Sequence, residues 1–465
     1  MRVLERVIPT PEQLKIITIN PSGIVLIRGA AGSGKTTTAL LRLKHLSRYW
    51  SLHKSRDPFA DSVKMLVLTY NRTLRGYVEA LAEAQVNLEG VDLEVRTFSA
   101  WALHLLGGRQ VVDQNQANGF LRRVAQQLPT NSDFLLNEVQ YVLGRFLPEE
   151  LDSYLDARRT GRGVSPRVDR ALRTRILTEV IRPYALWKEQ REELDWNDIA
   201  VTLGRNQLAE YDVVIIDEAQ DFSANQMRAV LKQLANDHSL TLVLDAAQRI
   251  YANAFQWREV NITVTNTNTF TLRVNYRNTV EIAQFATPLL EGLDLTDDGT
   301  VPDFRASDRH GPKPLVLRGR FNNQLKAAID YVRTEVDLAT ESVAFLHLKG
   351  GGWFDTIKEG LRDAGLEFVE ISRNGDWPVG PENVALSTLH SAKGLEFDHV
   401  VLIGFNGQLT PHGSEEGDTD LETLRRLLAM AVGRARKSIV LGYKPEDASA
   451  LVRFLEPTTY QARDL

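Results

Sequence analysis

The segment IVLIRGAAGSGKTTTALLRL constrains the fold more than any other part of the 465-residue chain. An apolar run precedes a glycine-rich loop and a helix-like stretch, and residues 29–36 satisfy the pattern G-x-x-x-x-G-K-[ST]. Glycines let backbone N–H groups turn towards phosphate oxygens, beside the positive end of a helix. In this prediction Lys35 reaches the β- and γ-phosphates and Thr36 ligates Mg²⁺. The predicted phosphate site comprises Gly29, Ala30, Ala31, Gly32, Ser33, Gly34, Lys35, Thr36 and Thr37.

A second apolar strand ends in two acids, in YDVVIIDEAQD. This places Asp217 and Glu218 at the carboxyl end of a strand, the edge at which parallel sheets bind ligands. Asp217 suits Mg²⁺, directly or through water, and Glu218 suits a base that orients and deprotonates a water molecule. The alternative is that the acids only cap the next helix, a role also open to Asp221 and Ser223. Together with the glycine-rich loop, the acid pair makes nucleotide hydrolysis the leading hypothesis.

Ten apolar runs rich in β-branched residues alternate with helical stretches, which predicts buried parallel sheets. The runs form two sets: 24–27, 65–68, 213–216, 242–244 and 271–274, then 315–317, 343–348, 368–371, 384–387 and 400–403. We therefore expect an α/β protein of two domains with a helical subdomain inserted into the first. The expected bounds are 1–102 plus 208–280 for the first domain, 103–207 for the insertion and 281–465 for the second domain.

Composition excludes several classes of protein. With 55 basic and 60 acidic residues the net charge is −5, so nucleic acid is not bound by bulk positive charge, although a local basic channel remains open. The absence of cysteine excludes disulfides, thiolate metal sites and a cysteine nucleophile. No run approaches 18 uninterrupted apolar residues. We expect a cytoplasmic protein without a membrane partner.

Residues 158–175, inside the expected insertion, carry seven arginines and one acid, Asp169. The simple interpretation is a solvated surface. The alternative is a contact with the phosphate backbone of a nucleic acid, which would make binding depend on salt.

Seven further segments accompany these elements: PTPEQLKII, LVLTYNRTLRGYV, VRTFSAWA, LVLDAAQRIY, LRVNYRNTVEIA, VALSTLHSAKGLEFDHVVLIG and RRLLAMAVGRARKSIVL. In this order, and over nearly the whole chain, the set resembles the superfamily 1 helicases of the UvrD/Rep type. The resemblance implies two RecA-like domains with ATP and Mg²⁺ between them. It assigns six more residues to the nucleotide: Gln13 to adenine, Gln248 to sensing the γ-phosphate, Tyr276 to stacking on the base, Arg277 to phosphate, Glu396 to the ribose and Arg434 as second arginine finger.

The same resemblance implies contacts with single-stranded or tailed duplex DNA and movement in the 3′-to-5′ direction. The implied residues are Tyr70, Asn71, Thr97, Phe98, Thr388 and His390. Asn253 stands where larger relatives have a strand-stacking tryptophan, so Trp257 or Phe255 is expected to substitute. Core packing is the alternative for Trp257, Tyr70 and Tyr276, and turn capping is the alternative for Gln13 and Asn71.

Two departures from the family bear on function. Only 112 residues lie between Arg277 and His390, so the second large insertion of bigger members is missing or vestigial. This puts processive unwinding in doubt. Gly433 stands where relatives usually have threonine, which is expected to loosen Arg434.

Three functions follow from these observations. The first is an ATP-driven translocase or helicase on single-stranded DNA. The second is a regulatory ATPase subunit that activates a partner nuclease or other defence protein. Short UvrD-like proteins similar to this one accompany nucleases in antiviral systems of the Gabija type. The third is an RNA helicase, since both polymers offer phosphates and base faces.

Overall fold

The computed structural model describes residues 9–19, 21–29, 33–56, 62–69, 75, 76, 78, 79, 82, 89–157, 168–244, 255–272, 277–293, 309–371, 380–392, 394–413 and 418–465. The strands within these residues are β1 Gly23–Gly29, β2 Val63–Thr69, β3 Val91–Thr97, β4 Tyr211–Ile216, β5 Leu234–Leu244, β6 Thr269–Leu272, β7 Leu315–Arg318, β8 Val343–His347, β9 Phe368–Ile371, β10 Val384–Thr388, β11 Phe397–Leu402, β12 Ala435–Tyr443 and β13 Gln461–Asp464. The α-helices are α1 Pro11–Thr18, α2 Lys35–Lys54, α3 Phe98–Leu106, α4 Gln114–Ala125, α5 Ser132–Arg145, α6 Arg170–Arg175, α7 Arg182–Glu189, α8 Trp196–Arg205, α9 Ala224–Lys232, α10 Val280–Leu290, α11 Phe321–Glu335, α12 Gly352–Asp363 and α13 Thr419–Val432.

The first sheet has the strand order β3-β2-β4-β5-β1-β6, and its described pairings are parallel. Its inner strands are nearly continuous apolar runs because helices cover both faces. Helix α2 packs on one face, while α3, α8 and α9 share the core on the other. Since parallel strands run in one direction, β1, β2 and β4 end at the same edge, at Gly29, Thr69 and Ile216.

The second sheet has the order β13-β7-β12-β11-β8-β10-β9, again with parallel pairings. Helices α10 and α13 pack on one face and α11 and α12 on the other. Asn278, just before α10, donates to the carbonyls of Gly433 (3.3 Å) and Ala435 (2.5 Å). The chain has therefore entered the second domain by Asn278. The two parallel α/β sheets confirm the expected fold class.

A separate helical core lies between β3 and β4 in the sequence. It is built from α4, α5, α7 and the turns around α6, with Leu121, Val142, Ile176 and Tyr184 among its buried residues. Helices α3 and α8 belong instead to the first-domain core. The expected insertion, 103–207, thus contains one helix, α8, that packs on the first sheet.

Helices α6 and α7 are joined by a π-helical turn, Ile176–Ile181. Pro183 follows directly, in the first turn of α7. Proline lacks an N–H and its ring clashes with the carbonyl four residues earlier, and a widened turn relieves both constraints.

The ten predicted apolar runs correspond to β1, β2 and β4–β11. Three strands were not predicted. β3 reads VDLEVRT and lies at a sheet edge, where charged side chains reach solvent, and β13 reads QARD and is exposed throughout. β12 has two charged residues, Arg436 and Lys437, near its start. The apolar residues that follow them were therefore not predicted as a strand. Among the described residues, no helix combines the length and apolarity needed to cross a membrane.

Candidate active site between the phosphate loop and the acid pair

The phosphate loop leads from β1 into α2, a 20-residue helix. The Lys35 ammonium donates to the carbonyl oxygen of Gly29 at 2.9 Å, so this cation lies back over the start of its own loop. Thr36 and Thr37 occupy the first turn of α2, where backbone N–H groups and the helix dipole favour an anion. Ala30, Ala31 and Gly32, also assigned to this site, lie outside the described residues.

At two positions of the loop, neighbouring atoms lie so close to the backbone that only glycine fits. A Cβ atom on Gly29 would lie 2.6 Å from both the Leu272 carbonyl oxygen and the Ser33 hydroxyl. Gly34 has a φ of +78°, a left-handed conformation that glycine adopts without strain, and a Cβ there would lie 2.5 Å from the Gln13 amide nitrogen. The glycine pattern thus permits both the turn and the packing around it.

The Thr36 hydroxyl lies 3.1 Å from each carboxylate oxygen of Asp217, which joins the phosphate loop to the end of β4. Asp217 is buried, at 3% exposure. Burial, together with the neighbouring Glu218 carboxylate, raises its pKa, while Thr36 and Lys35 act in the opposite direction. A buried carboxylate beside a hydroxyl offers the hard oxygen ligands that Mg²⁺ prefers, so these residues fit the ion.

Glu218 follows Asp217 in a strained turn. Its φ is +53°, and a non-glycine residue in such a sparsely populated conformation costs on the order of 1 kcal/mol or more. Its side chain is 8% exposed and accepts a hydrogen bond from the Gln220 amide, itself buried. The chain then forms a short 3₁₀ turn, Ala219–Asp221, and Ser223 caps α9. Capping therefore falls to Ser223, and Glu218 is held next to Asp217, the residue that contacts Thr36.

Gln13 lies on α1, over the phosphate loop. Its amide oxygen accepts from the Thr10 backbone N–H at 2.9 Å, in a capping box that begins the helix. Its amide nitrogen is directed at Gly34. The expected contact with adenine stays a prediction, and the capping role that was its alternative is present in this structure.

Three residues assigned to the nucleotide meet on the second domain. The Arg277 guanidinium forms an ion pair with Glu396 and donates to the Gly433 carbonyl at 3.3 Å. Gly433 precedes Arg434, whose side chain is 2% exposed and contacts Met430 and the Leu395 carbonyl. Because Arg277 and Asn278 both bind the Gly433 carbonyl, this peptide is held in place. The expectation that glycine at position 433 loosens Arg434 stays a prediction.

The residues assigned to nucleic acid divide into two groups. In the first domain, Thr97 caps α3 by accepting from the Ala100 N–H. Phe98 and Trp257 are core residues, at 5% and 7% exposure, and pack against Phe222 and Phe255. A base cannot stack on rings buried in this way, so the structure favours the core alternative for Trp257. Phe98 also packs in this core, which leaves little of its ring for the expected contact with nucleic acid.

In the second domain, Thr388 ends β10 and its hydroxyl accepts from the Ser391 N–H, while His390 is half-buried in the following turn. Both lie near the carboxyl end of their strand. Glu396 and Arg434, in contrast, directly precede β11 and β12. The residues assigned to nucleotide and to nucleic acid therefore lie at opposite edges of the second sheet. Gln248, Tyr276, Tyr70 and Asn71 lie outside the described residues.

Sequence reasoning missed three supporting residues. Gln220 holds Glu218, and Asn278 holds the peptide before Arg434. Arg42 on α2 is fully buried and donates to the carbonyls of Ile16 (3.0 Å) and Ile19 (2.5 Å), at the end of the helix that carries Gln13. All three residues stand inside recognised segments. Nothing in the sequence, however, indicates that an arginine in the middle of α2 is buried.

Two models of known protein families match the chain. A family model described as an AAA domain matches residues 13–254, just over half of the chain. A second model, the UvrD-like helicase C-terminal domain, matches residues 355–446. The chain belongs to the UvrD-like helicases of superfamily 1.

Curated UvrD-like relatives match over limited segments. The ATP-dependent DNA helicase Rep of Buchnera aphidicola is 42% identical over 83 residues, which is 18% of this chain and 12% of that protein. The ATP-dependent DNA helicase PcrA of Leuconostoc citreum is 24% identical over 297 residues, 58% of this chain and 37% of that protein. A solved C-terminal domain of a possible DNA helicase from Lactobacillus plantarum has a TM-score of 0.31 at 20% identity and covers 41% of this chain and 99% of that one. The chain thus aligns with only 12% and 37% of the lengths of these two curated relatives.

Gly29→Ala tests the tight packing of the phosphate loop. The new methyl group would meet the Leu272 carbonyl at 2.6 Å, so the loop must shift. We expect affinity for a fluorescent ATP analogue to fall about tenfold or more, since overpacking of this kind costs about 1–3 kcal/mol. Gly119→Ala on α4 is the control because a Cβ there meets nothing within 4 Å. Unchanged ATP affinity in Gly29→Ala would show that the loop tolerates the shift.

Proposed function

We propose that this UvrD-like protein is an ATP-driven 3′-to-5′ translocase or helicase on single-stranded DNA. The observation that carries the proposal is the contact of Thr36 with Asp217, in which the hydroxyl lies 3.1 Å from each carboxylate oxygen. Lys35 directly precedes Thr36, and Glu218 directly follows Asp217. Binding, metal-ligating and basic groups for phosphoryl transfer thus occupy one edge of a sheet.

In this proposal the first domain binds and activates the reactants. Lys35 and the N-terminus of α2 bind the phosphates, and Thr36 and Asp217 hold Mg²⁺. When bound, the ion would neutralise charge on the phosphate oxygens. Glu218 orients a water molecule and accepts its proton, and Gln220 keeps the carboxylate in one orientation.

The second domain contributes positive charge. Arg277 and Arg434 lie beside the same Gly433 peptide, so one movement of this domain carries both guanidinium groups. An arginine finger contributes about 10³–10⁵ in rate, and hydrolysis is therefore switched by closure of the two domains. Glu396, paired with Arg277, is the proposed ribose contact.

The Rep and PcrA relatives are named ATP-dependent DNA helicases, which supports DNA as the polymer. Thr388 and His390 are its proposed contacts on the second domain, with Tyr70, Asn71 and Thr97 on the first. Closure and opening would move these two sets relative to each other and convert hydrolysis into steps along the strand.

A second candidate is a DNA-sensing ATPase subunit that activates a partner nuclease, as in antiviral defence. It is favoured by the compact second domain: the described residues between Arg277 and His390 alternate between strands and helices, from α10 to β10, without an added subdomain. Such a protein would hydrolyse ATP yet unwind little alone.

Steady-state ATP hydrolysis with no nucleic acid, single-stranded DNA, single-stranded RNA and blunt duplex separates these functions. We expect stimulation by single-stranded DNA above the other conditions, and displacement of a strand from a 3′-tailed duplex but not a 5′-tailed one. Stimulation without displacement would favour the regulatory subunit, as would equal, low rates in every condition. Stronger stimulation by RNA would favour an RNA helicase.

Glu218→Gln tests the base. The amide keeps the shape of the side chain but cannot accept the proton, so we expect turnover to fall about 10²–10⁴-fold while ATP and single-stranded DNA still bind. Lys35→Ala should lose both turnover and ATP affinity. Glu192→Gln is a matched control because Glu192 has the same φ of 53° but is exposed. Turnover at the wild-type level in Glu218→Gln would contradict the assignment of Glu218 as the base.

Arg434→Lys tests the finger. Lysine keeps the charge but lacks the planar guanidinium that fits phosphate geometry. We expect hydrolysis to fall by about 10³ with little change in ATP affinity. Arg436→Lys, two residues along in β12 and 35% exposed, should leave hydrolysis unchanged. A rate in Arg434→Lys equal to that of the control would remove the finger role.

A further inference from the structure

The C-terminal turn of α5, in the helical insertion, lies directly on the start of α9. A Cβ on Gly144 would be 2.9 Å from the Ser223 Cβ, so the two backbones approach as closely as a glycine allows. The Asn225 amide donates to the carbonyls of Leu143 (2.8 Å) and Phe146 (3.0 Å), and Asn225 is 1% exposed. The insertion thus contacts α9 five residues after Glu218.

The same turn of α5 binds a second segment of the first domain. The Arg145 guanidinium forms a bidentate ion pair with Glu259, with N–O distances of 2.8 and 2.9 Å, and also contacts the Tyr141 hydroxyl. The side chains of Arg145 and Glu259 are 8% and 24% exposed. One Glu259 oxygen also accepts from the Gln256 N–H at 2.9 Å, which fixes the turn Trp257–Val260.

Arg228, on α9, links the contact between α5 and α9 to the ion pair between Arg145 and Glu259. Its guanidinium donates to the Arg145 carbonyl at 2.9 Å and to the Glu259 carbonyl at 3.1 Å. It also donates to the Asn225 side chain at 2.5 Å. The insertion, α9 and the 256–260 turn are therefore held by one network in which two guanidinium groups bind both the side chains and the main chain.

Both segments bound by this network flank residues proposed for hydrolysis. Helix α9 continues the turn that begins at Asp217 and Glu218. The 256–260 turn follows residues 245–254, the stretch that contains Gln248 in the sequence. A displacement of α5 would therefore act on α9 and on the 256–260 turn at once.

We propose that Arg145 and Glu259 are a positioning pair for ATP hydrolysis, through which the helical insertion sets the placement of the acid turn and of the 256–260 turn. This inference rests on the proposed ATPase function. Neither residue belongs to the proposed nucleotide site. Their effect is on geometry, and a misplacement of about 1 Å in a catalytic group can lower a rate by about 10²-fold.

The test measures kcat and KM for ATP, with and without an oligodeoxythymidine, together with its affinity in the presence of a non-hydrolysable ATP analogue. Glu259→Gln should lower kcat about tenfold or more, while the KM for ATP and the oligonucleotide affinity stay within about twofold of wild type. Arg145→Gln with Glu259→Gln should cost no more than Glu259→Gln alone, because residues that act through one contact are not additive.

Asp133→Asn is the matched control, since it breaks the exposed Arg122–Asp133 ion pair (2.9 Å) elsewhere in the insertion. If Glu259→Gln does not fold, the double variant is measured in its place because it leaves no unpaired buried charge at this pair. A kcat equal to that of the control, or a proportional rise in KM, would overturn the proposal. Wild-type hydrolysis without DNA stimulation would contradict the DNA motor, yet the kcat comparison would still decide the role of the pair.

Discussion

The contact between Thr36 and Asp217 is the constraint on which the rest of the site depends. It joins the end of β1 to the end of β4, two strands separated by β5 in the sheet order. The hydroxyl can reach the carboxylate only because the strands are parallel, end at the same edge and hold their register through buried apolar side chains. The sheet, its hydrophobic cores and the closely packed glycines of the loop together maintain the distance between the Thr36 hydroxyl and the Asp217 carboxylate.

Most of the framework could be predicted from the sequence, because buried parallel strands and a phosphate loop have strong local patterns. Ten of the strands followed from apolar runs, whereas β3 and β13 did not, since edge strands carry polar side chains. The acid pair was also evident. Burial was not evident: Phe98 and Trp257 were expected to contact nucleic acid, and only the packing around them places both side chains in the core.

Long-range polar contacts were the part that sequence could not provide. Arg145 and Glu259 are 114 positions apart, and neither belongs to a recognised segment. Arg42 likewise binds carbonyls about 25 residues earlier in the chain. A buried charge must be paired or hydrogen-bonded, but its partner depends on the fold and not on spacing. Such contacts connect the helices around the site to the site itself.

The second sheet separates its two proposed ligands in an informative way. Glu396 and Arg434 precede strands, whereas Thr388 ends one, so a strand of six residues such as β11, roughly 20 Å long, lies between the two edges. Helices cover both faces of this sheet, and a close-packed interior of this kind transmits strain. If the second domain rotates about a point within this sheet, the two edges of the sheet move in opposite directions. A small movement of the edge that carries Glu396 and Arg434 would then produce a movement of similar size at the edge that carries Thr388.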